Sequence, residues 1–196
     1  MSQVAISGNA SGTGTLTIAA PNTNSNYTLT LPTNTGTIVT NKTAGTVLQV
    51  VSTAKTDTFT TTSTTFTDIT GLSVSITPTA TSSKIFVIVG LSLGATAGTF
   101  SAHPRLMRDS TAIFVSDAAG SRTQAAMMYE VGAAASIPAP IVFLDSPSTT
   151  SATTYKIQLR TNNASFAACV NRGVTDTDNS AFARAVSSIT VMEIAA

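Results

Sequence analysis

Residues 84–93, KIFVIVGLSL, constrain the fold more than any other stretch of this chain. The run is apolar without interruption from Ile85 to Val89, rich in β-branched residues, and too short to span a bilayer. Pro78, Ser82 and Ser83 precede it and Gly94 follows. A short apolar run between such breakers predicts a strand buried on both faces, at the centre of a sandwich. Two other strong runs, 137–144 and 189–194, are expected beside it or facing it.

The rest of the chain repeats the pattern of strand and turn. Candidate strands fall at 47–53, 56–61, 65–69, 72–77, 105–109, 112–115, 124–131, 154–161, 165–171 and 187–194, with Gly, Pro, Asp and Ser between them. No convincing helical period interrupts them. That pattern predicts an all-β chain whose residues 47–196 form an antiparallel β-sandwich of jelly-roll type.

Residues 1–40 differ. Thr alternates with aliphatic residues in short pieces separated by Asn, Gly and Pro, the period-2 signature of half-buried strands. Large aliphatics are too few for so short a segment to hold a core alone. Three copies wound about an axis would pool them and pair their strand edges. The expected organisation is a β-rich trimeric stalk over 1–40, a linker at 41–46 and a head at 47–196. Met1, Ser2 and Gln3 open no apolar signal segment, so an extracellular role would come from assembly and lysis rather than secretion.

Composition narrows the function. Only 10% of residues are charged, against about 25% in ordinary domains, and Thr and Ser take their place. Ten Lys and Arg against nine Asp and Glu leave no basic excess for nucleic acid, and no amphipathic helix suggests membrane insertion. A surface so poor in charge is expected either to be covered by further copies or to serve as a static extracellular part. The lone cysteine, Cys169, lies between Ala168 and Val170 and reads as a small buried hydrophobe.

Catalytic chemistry is sparse. His103 is the only histidine, set beside Pro104 in a stretch that reads as a loop. No nucleophile elbow or phosphate-cradling motif occurs. Glu130 and Glu193 sit in apolar strands without the spacing of a glycosidase pair, and there is no Trp to platform a sugar. Glu193 is expected on the face opposite Met192 and Ile194, with burial against an arginine open to it. Asp176, Asp178 and Asn179 have the alternating spacing of a calcium loop but lack its glycine and distal glutamate, so they are only weak cation candidates. No cofactor is expected.

Two sets of residues resemble a known family. Residues 14–32 (GTLTIAAPNTNSNYTLTLP) and 36–40 (GTIVT) are similar to an N-terminal segment that recurs in fibre proteins of tailed bacteriophages, especially aquatic ones. Residues 69–78, 83–85, Arg108, Asp109, 144–147, 153–155, 170–172 and 188–193 resemble the head domain of the same virion proteins. The resemblance covers most of the chain. It implies a homotrimeric virion structural protein without enzymatic activity. Its N-terminal segment would join other virion proteins, and its head would bind a host-surface polysaccharide or protein. A capsid cement or head-decoration protein is the alternative. Arg108, Asp109, Asn171 and Arg172 match the head pattern, and an arginine in so uncharged a chain invites a bidentate pair with Asp145 or Asp109. Such pairs would fix strand register or subunit contacts, or touch a receptor.

Overall fold

The computed structural model describes residues 11–14, 17, 24, 26, 43–95, 101–130 and 136–196. The chain divides into two compact units, 1–38 and 39–196. The β-stalk expected over 1–40 lies outside the described residues except at 11–14, 17, 24 and 26.

Thirteen strands and no helix make up the described residues: β1 Val47–Lys55, β2 Phe59–Thr61, β3 Thr67–Ile76, β4 Lys84–Gly90, β5 Ser92–Ala95, β6 Ser101–Arg108, β7 Thr111–Ile113, β8 Tyr129–Glu130, β9 Ser136–Pro138, β10 Ile141–Asp145, β11 Thr153–Thr161, β12 Ala168–Val170 and β13 Ser187–Ile194. All belong to the head, and all their pairings are antiparallel. One sheet runs β1-β13-β4-β10 and a second β2-β12-β5-β9. Their orders correspond, because β1 leads into β2, β4 into β5 and β9 into β10. The two sheets are therefore the upper and lower halves of one four-stranded front layer, creased near Leu91. The back layer runs β3-β11-β6-β7, with β8 also paired to β6. The front layer alternates strands from the two halves of the chain and the back layer closes with the β6–β7 hairpin, the strand orders of a jelly roll.

Period-2 alternation places the core. Ile85, Val87, Val89, Ile189, Val191 and Ile141 from the front layer meet Leu72, Val74, Ile76, Tyr155, Ile157, Leu159 and Leu106 from the back, in one buried cluster. Cys169 is fully buried and its thiol is free.

Several sequence expectations need correction. The run at 85–93 is two strands, and β4 is buried on one face only. Ile85, Val87 and Val89 point inward, while Ile88 is 36% exposed and Phe86 only half-buried. The candidates 65–69 and 72–77 are one strand, β3. Its bulge opposite β11 passes through Gly71 at φ +77, a conformation that suits glycine. Residues 137–144 break at Ala139 into β9 and β10, and of the described residues 124–130 only the two of β8 are strand.

His103 and Pro104 lie in strand β6, not in a loop. A strand residue's nitrogen and carbonyl point to the same side. Pro104 turns its carbonyl away from β11 to accept from the Ala126 amide at 3.0 Å, so its missing N–H falls in the gap between β7 and β8 and costs the sheet no bond. Pro138 and Pro140 lie along the free edge of the front layer formed by β9 and β10.

Candidate functional site

The head's polar chemistry is divided among separate clusters. The first spans the two layers. Asp145, at the end of β10, points inward and is 5% exposed. Arg108 Nη1 donates to both of its oxygens, at 2.8 and 2.9 Å, and the Tyr155 hydroxyl donates to Oδ2 at 2.6 Å. The expected pair of Arg108 with Asp145 is therefore present, but one nitrogen straddles the carboxylate instead of two forming a fork. Burial, then the hydrogen bond to Asp145 and its charge, holds the Tyr155 phenol far above its ordinary pKa, so it stays a donor.

Asp109 takes no part in that pair. It turns the β6–β7 hairpin at φ +51, donates its amide to Thr154 O at 2.7 Å and accepts from the Thr154 amide at 2.8 Å. A short acceptor side chain tolerates this left-handed conformation better than most.

Asn171 forms a second cluster. It is fully buried at φ +64 and ties three segments together. Its Nδ2 donates to Lys55 O and Asp57 O, both at 2.8 Å, and its Oδ1 accepts from Ser187 Oγ at 2.6 Å. Arg172, next to it, faces elsewhere: Nη1 donates to Asp176 Oδ2 at 2.7 Å and Nη2 to Thr60 Oγ1 at 3.0 Å. Arg184 donates to the same Asp176 oxygen at 2.7 Å.

The weak cation candidates Asp176, Asp178 and Asn179 already have partners of their own or face solvent. Asp176 is already compensated by two guanidiniums. Asn179 accepts from the Ala181 amide to close its own turn, and Asp178 is exposed. Among the described residues no three His, Cys, Asp or Glu side chains gather to hold a metal.

Glu193 is fully buried without an arginine. Its Oε1 accepts from the Thr79 amide and hydroxyl, both at 2.7 Å, and its Oε2 from Gln49 Nε2 at 2.6 Å. Burial raises this carboxyl, but the hydrogen bonds from Gln49, Ser83 and Thr79 outweigh it and leave the pKa below the ordinary glutamate value.

The outer face of the back layer carries a further polar cluster. Arg105 donates to Gln158 Oε1 through Nε and Nη2, at 2.9 and 2.6 Å, and lies 3.8 Å over the Phe66 ring. Lys156 and Gln158 both donate to Asp68 at 2.7 Å. The Lys156 hydrogen bond draws the Asp68 carboxyl below its usual range against the opposing effect of burial.

Beside this face, the segment 114–128 folds over β6. The Ser116 amide donates to Ala125 O within the segment, and the segment is pinned by the Ala126 amide donating to Pro104 O and by Arg160 Nη1 donating to Thr123 Oγ1, both at 3.0 Å. It leaves a recess of about 540 Å³ lined by His103, Ser116, Arg122, Thr123 and Met127, with Met128 at its lip 65% exposed. That volume suits a small ligand group. His103 Nε2 shares a hydrogen bond with Ser101 Oγ at 2.9 Å, and burial, then the Arg160 charge, depresses its pKa.

The sequence pointed to Arg108 with Asp145 but missed Tyr155 and the cage around Glu193. Alternation in β11 puts Tyr155 inward, and an inward hydroxyl needs a polar partner; that signal was present. No signal marked Arg160 or Thr123, whose contact depends on a loop crossing a sheet.

No protein-family model matches the chain, and no curated protein matches it at a significant level.

Proposed function

We propose that the chain is a non-enzymatic virion structural protein of a tailed bacteriophage, a short homotrimeric fibre whose head attaches the particle to the host surface. The observation that carries this reading is the jelly-roll head on a chain whose two sets of residues resemble such fibres. Jelly rolls serve widely as viral and lectin scaffolds. The buried carboxylates favour scaffold over catalyst, since Asp145 and Glu193 each have both oxygens engaged by neighbouring donors.

In this reading the N-terminal 40 residues join the head to other virion proteins. The outer face of the back layer, with Arg105, Phe66 and the recess under 114–128, meets the host polysaccharide or protein. Three identical faces add weak contacts through effective concentration.

The test is placement and competition. Antibodies against the head should label the tail or baseplate of intact particles, and the purified protein should compete with particles for host adsorption. Label confined to capsid faces, with shells that burst when the protein is removed, would instead establish the cement reading. An unlabelled particle would overturn both.

A further inference from the structure

The two layers of the head have opposite outer faces. The back layer's outer face carries Asp68, Lys156 and Arg105 in hydrogen-bonded pairs, an arrangement suited to water. The front layer's does not. Strand register sets Val50, Met192, Phe86 and Leu144 in one row across β1, β13, β4 and β10. The next row adds Ile88 and Val142. Of the eight large apolar side chains that are exposed among the described residues, five belong to these strands: Val47 at 49%, Val50 at 55%, Ile88 at 36%, Val142 at 52% and Leu144 at 53%.

We infer that this outer face of β1-β13-β4-β10 is where heads pack against one another, so that the occupant is further copies of the same chain. The inference rests on the homotrimeric reading and deepens it by assigning the contact between heads.

Three observations select the occupant. The sequence of β4 has the unbroken apolar pattern of a strand covered on both faces, yet the described residues of the head cover only one. The face also presents no charge for a partner to match. Lys84 stands at its rim and donates to Ser146 Oγ at 2.9 Å. Finally, the hydroxyls on the face satisfy each other, with Ser52 Oγ and Thr190 Oγ1 at 2.8 Å, so no polar partner is needed. An uncharged apolar face can line a threefold axis against the same face of two further copies, and interfaces between identical subunits are the more apolar class. A contiguous apolar face of this kind is a liability on a protein that stays single.

The full-length chain tests this with single thiol reporters. Val142→Cys places a thiol on the front face and Ser73→Cys one on the exposed back face; the native Cys169 is buried and silent. Labelling by a charged maleimide is followed beside light scattering on the same sample. The expected result is an oligomer in which Val142→Cys reacts about tenfold more slowly than Ser73→Cys, or slower still. Ser52→Cys, on the same face, repeats the measurement should Val142→Cys disturb the packing. An oligomer with equal rates would overturn the assigned face and leave the homotrimer standing. A monomer with fast labelling at both positions would remove both. A monomer with a protected front thiol would mean that the chain's own N-terminal residues cover the face, which also overturns the inference.

Discussion

Asp145 holds the two layers together through charge. It is buried, it has a guanidinium and a phenol as donors, and its arginine partner keeps 27% of its side chain in water. Asp145→Asn keeps the shape and removes the charge, so Arg108 loses its counter-ion. The expected loss is roughly 2–3 kcal/mol, read from the urea midpoint.

Glu193 gives acid sensitivity. Its folded pKa lies below the unfolded one, so the unfolded chain takes the proton first. The stability it contributes is complete above about pH 4.3 and drains as pH falls through the folded value. Glu193→Gln should lower stability at neutral pH by about 1–3 kcal/mol and flatten the acid limb of the melting curve. His103 also destabilises the fold in acid, over a higher window. Its folded pKa is depressed, so stability should fall as pH drops below about 6.5 and level once the folded histidine is protonated. His103→Gln should remove that slope while leaving the Glu193 limb in place.

At the scale of elements, Gly94 sets how closely β5 approaches the turn after β12. A Cβ there would fall inside the contact distance of the Arg172 carbonyl oxygen, with the Gly173 backbone just beyond. Backbone cannot swing aside as a side-chain tip does. Gly94→Ala should therefore cost about 1–3 kcal/mol by overpacking, seen as a lower melting temperature with an unchanged β-type circular dichroism spectrum. The elements most legible in the sequence were those with clean alternation. Residues 154–161 and 187–194 became β11 and β13 within a residue, because their inward side chains repeat every second position. Less legible were places where one backbone group decides the outcome. Pro104 read as a loop because a missing N–H normally ends a strand, and only the neighbouring topology shows that the bond was never required. Gly71 read as a turn between strands because a bulge and a turn use the same residue. The site obeyed the same rule. The pair of Arg108 and Asp145 was visible as scarce charges in an apolar chain, whereas the two-arginine clamp on Asp176 depends on a loop that doubles back.

For the whole molecule, the proposed homotrimer predicts a light-scattering mass near three times the 19.9 kDa chain, unchanged on dilution through the micromolar range. A value at one chain mass would remove it. The order of strands has a kinetic counterpart. β1 closes against β13, and β3 against β11, so most pairings join distant parts of the sequence. Refolding on the millisecond-to-second scale is expected, not microseconds.

The two prolines on the β9–β10 border bear on assembly of any kind. A border with gaps in its donors cannot accept another molecule's strand along its full length. Growth by endless sheet extension, the route to filaments and amyloid, is closed on that side, so a particle that needs a fixed number of subunits is less exposed to runaway polymerisation there.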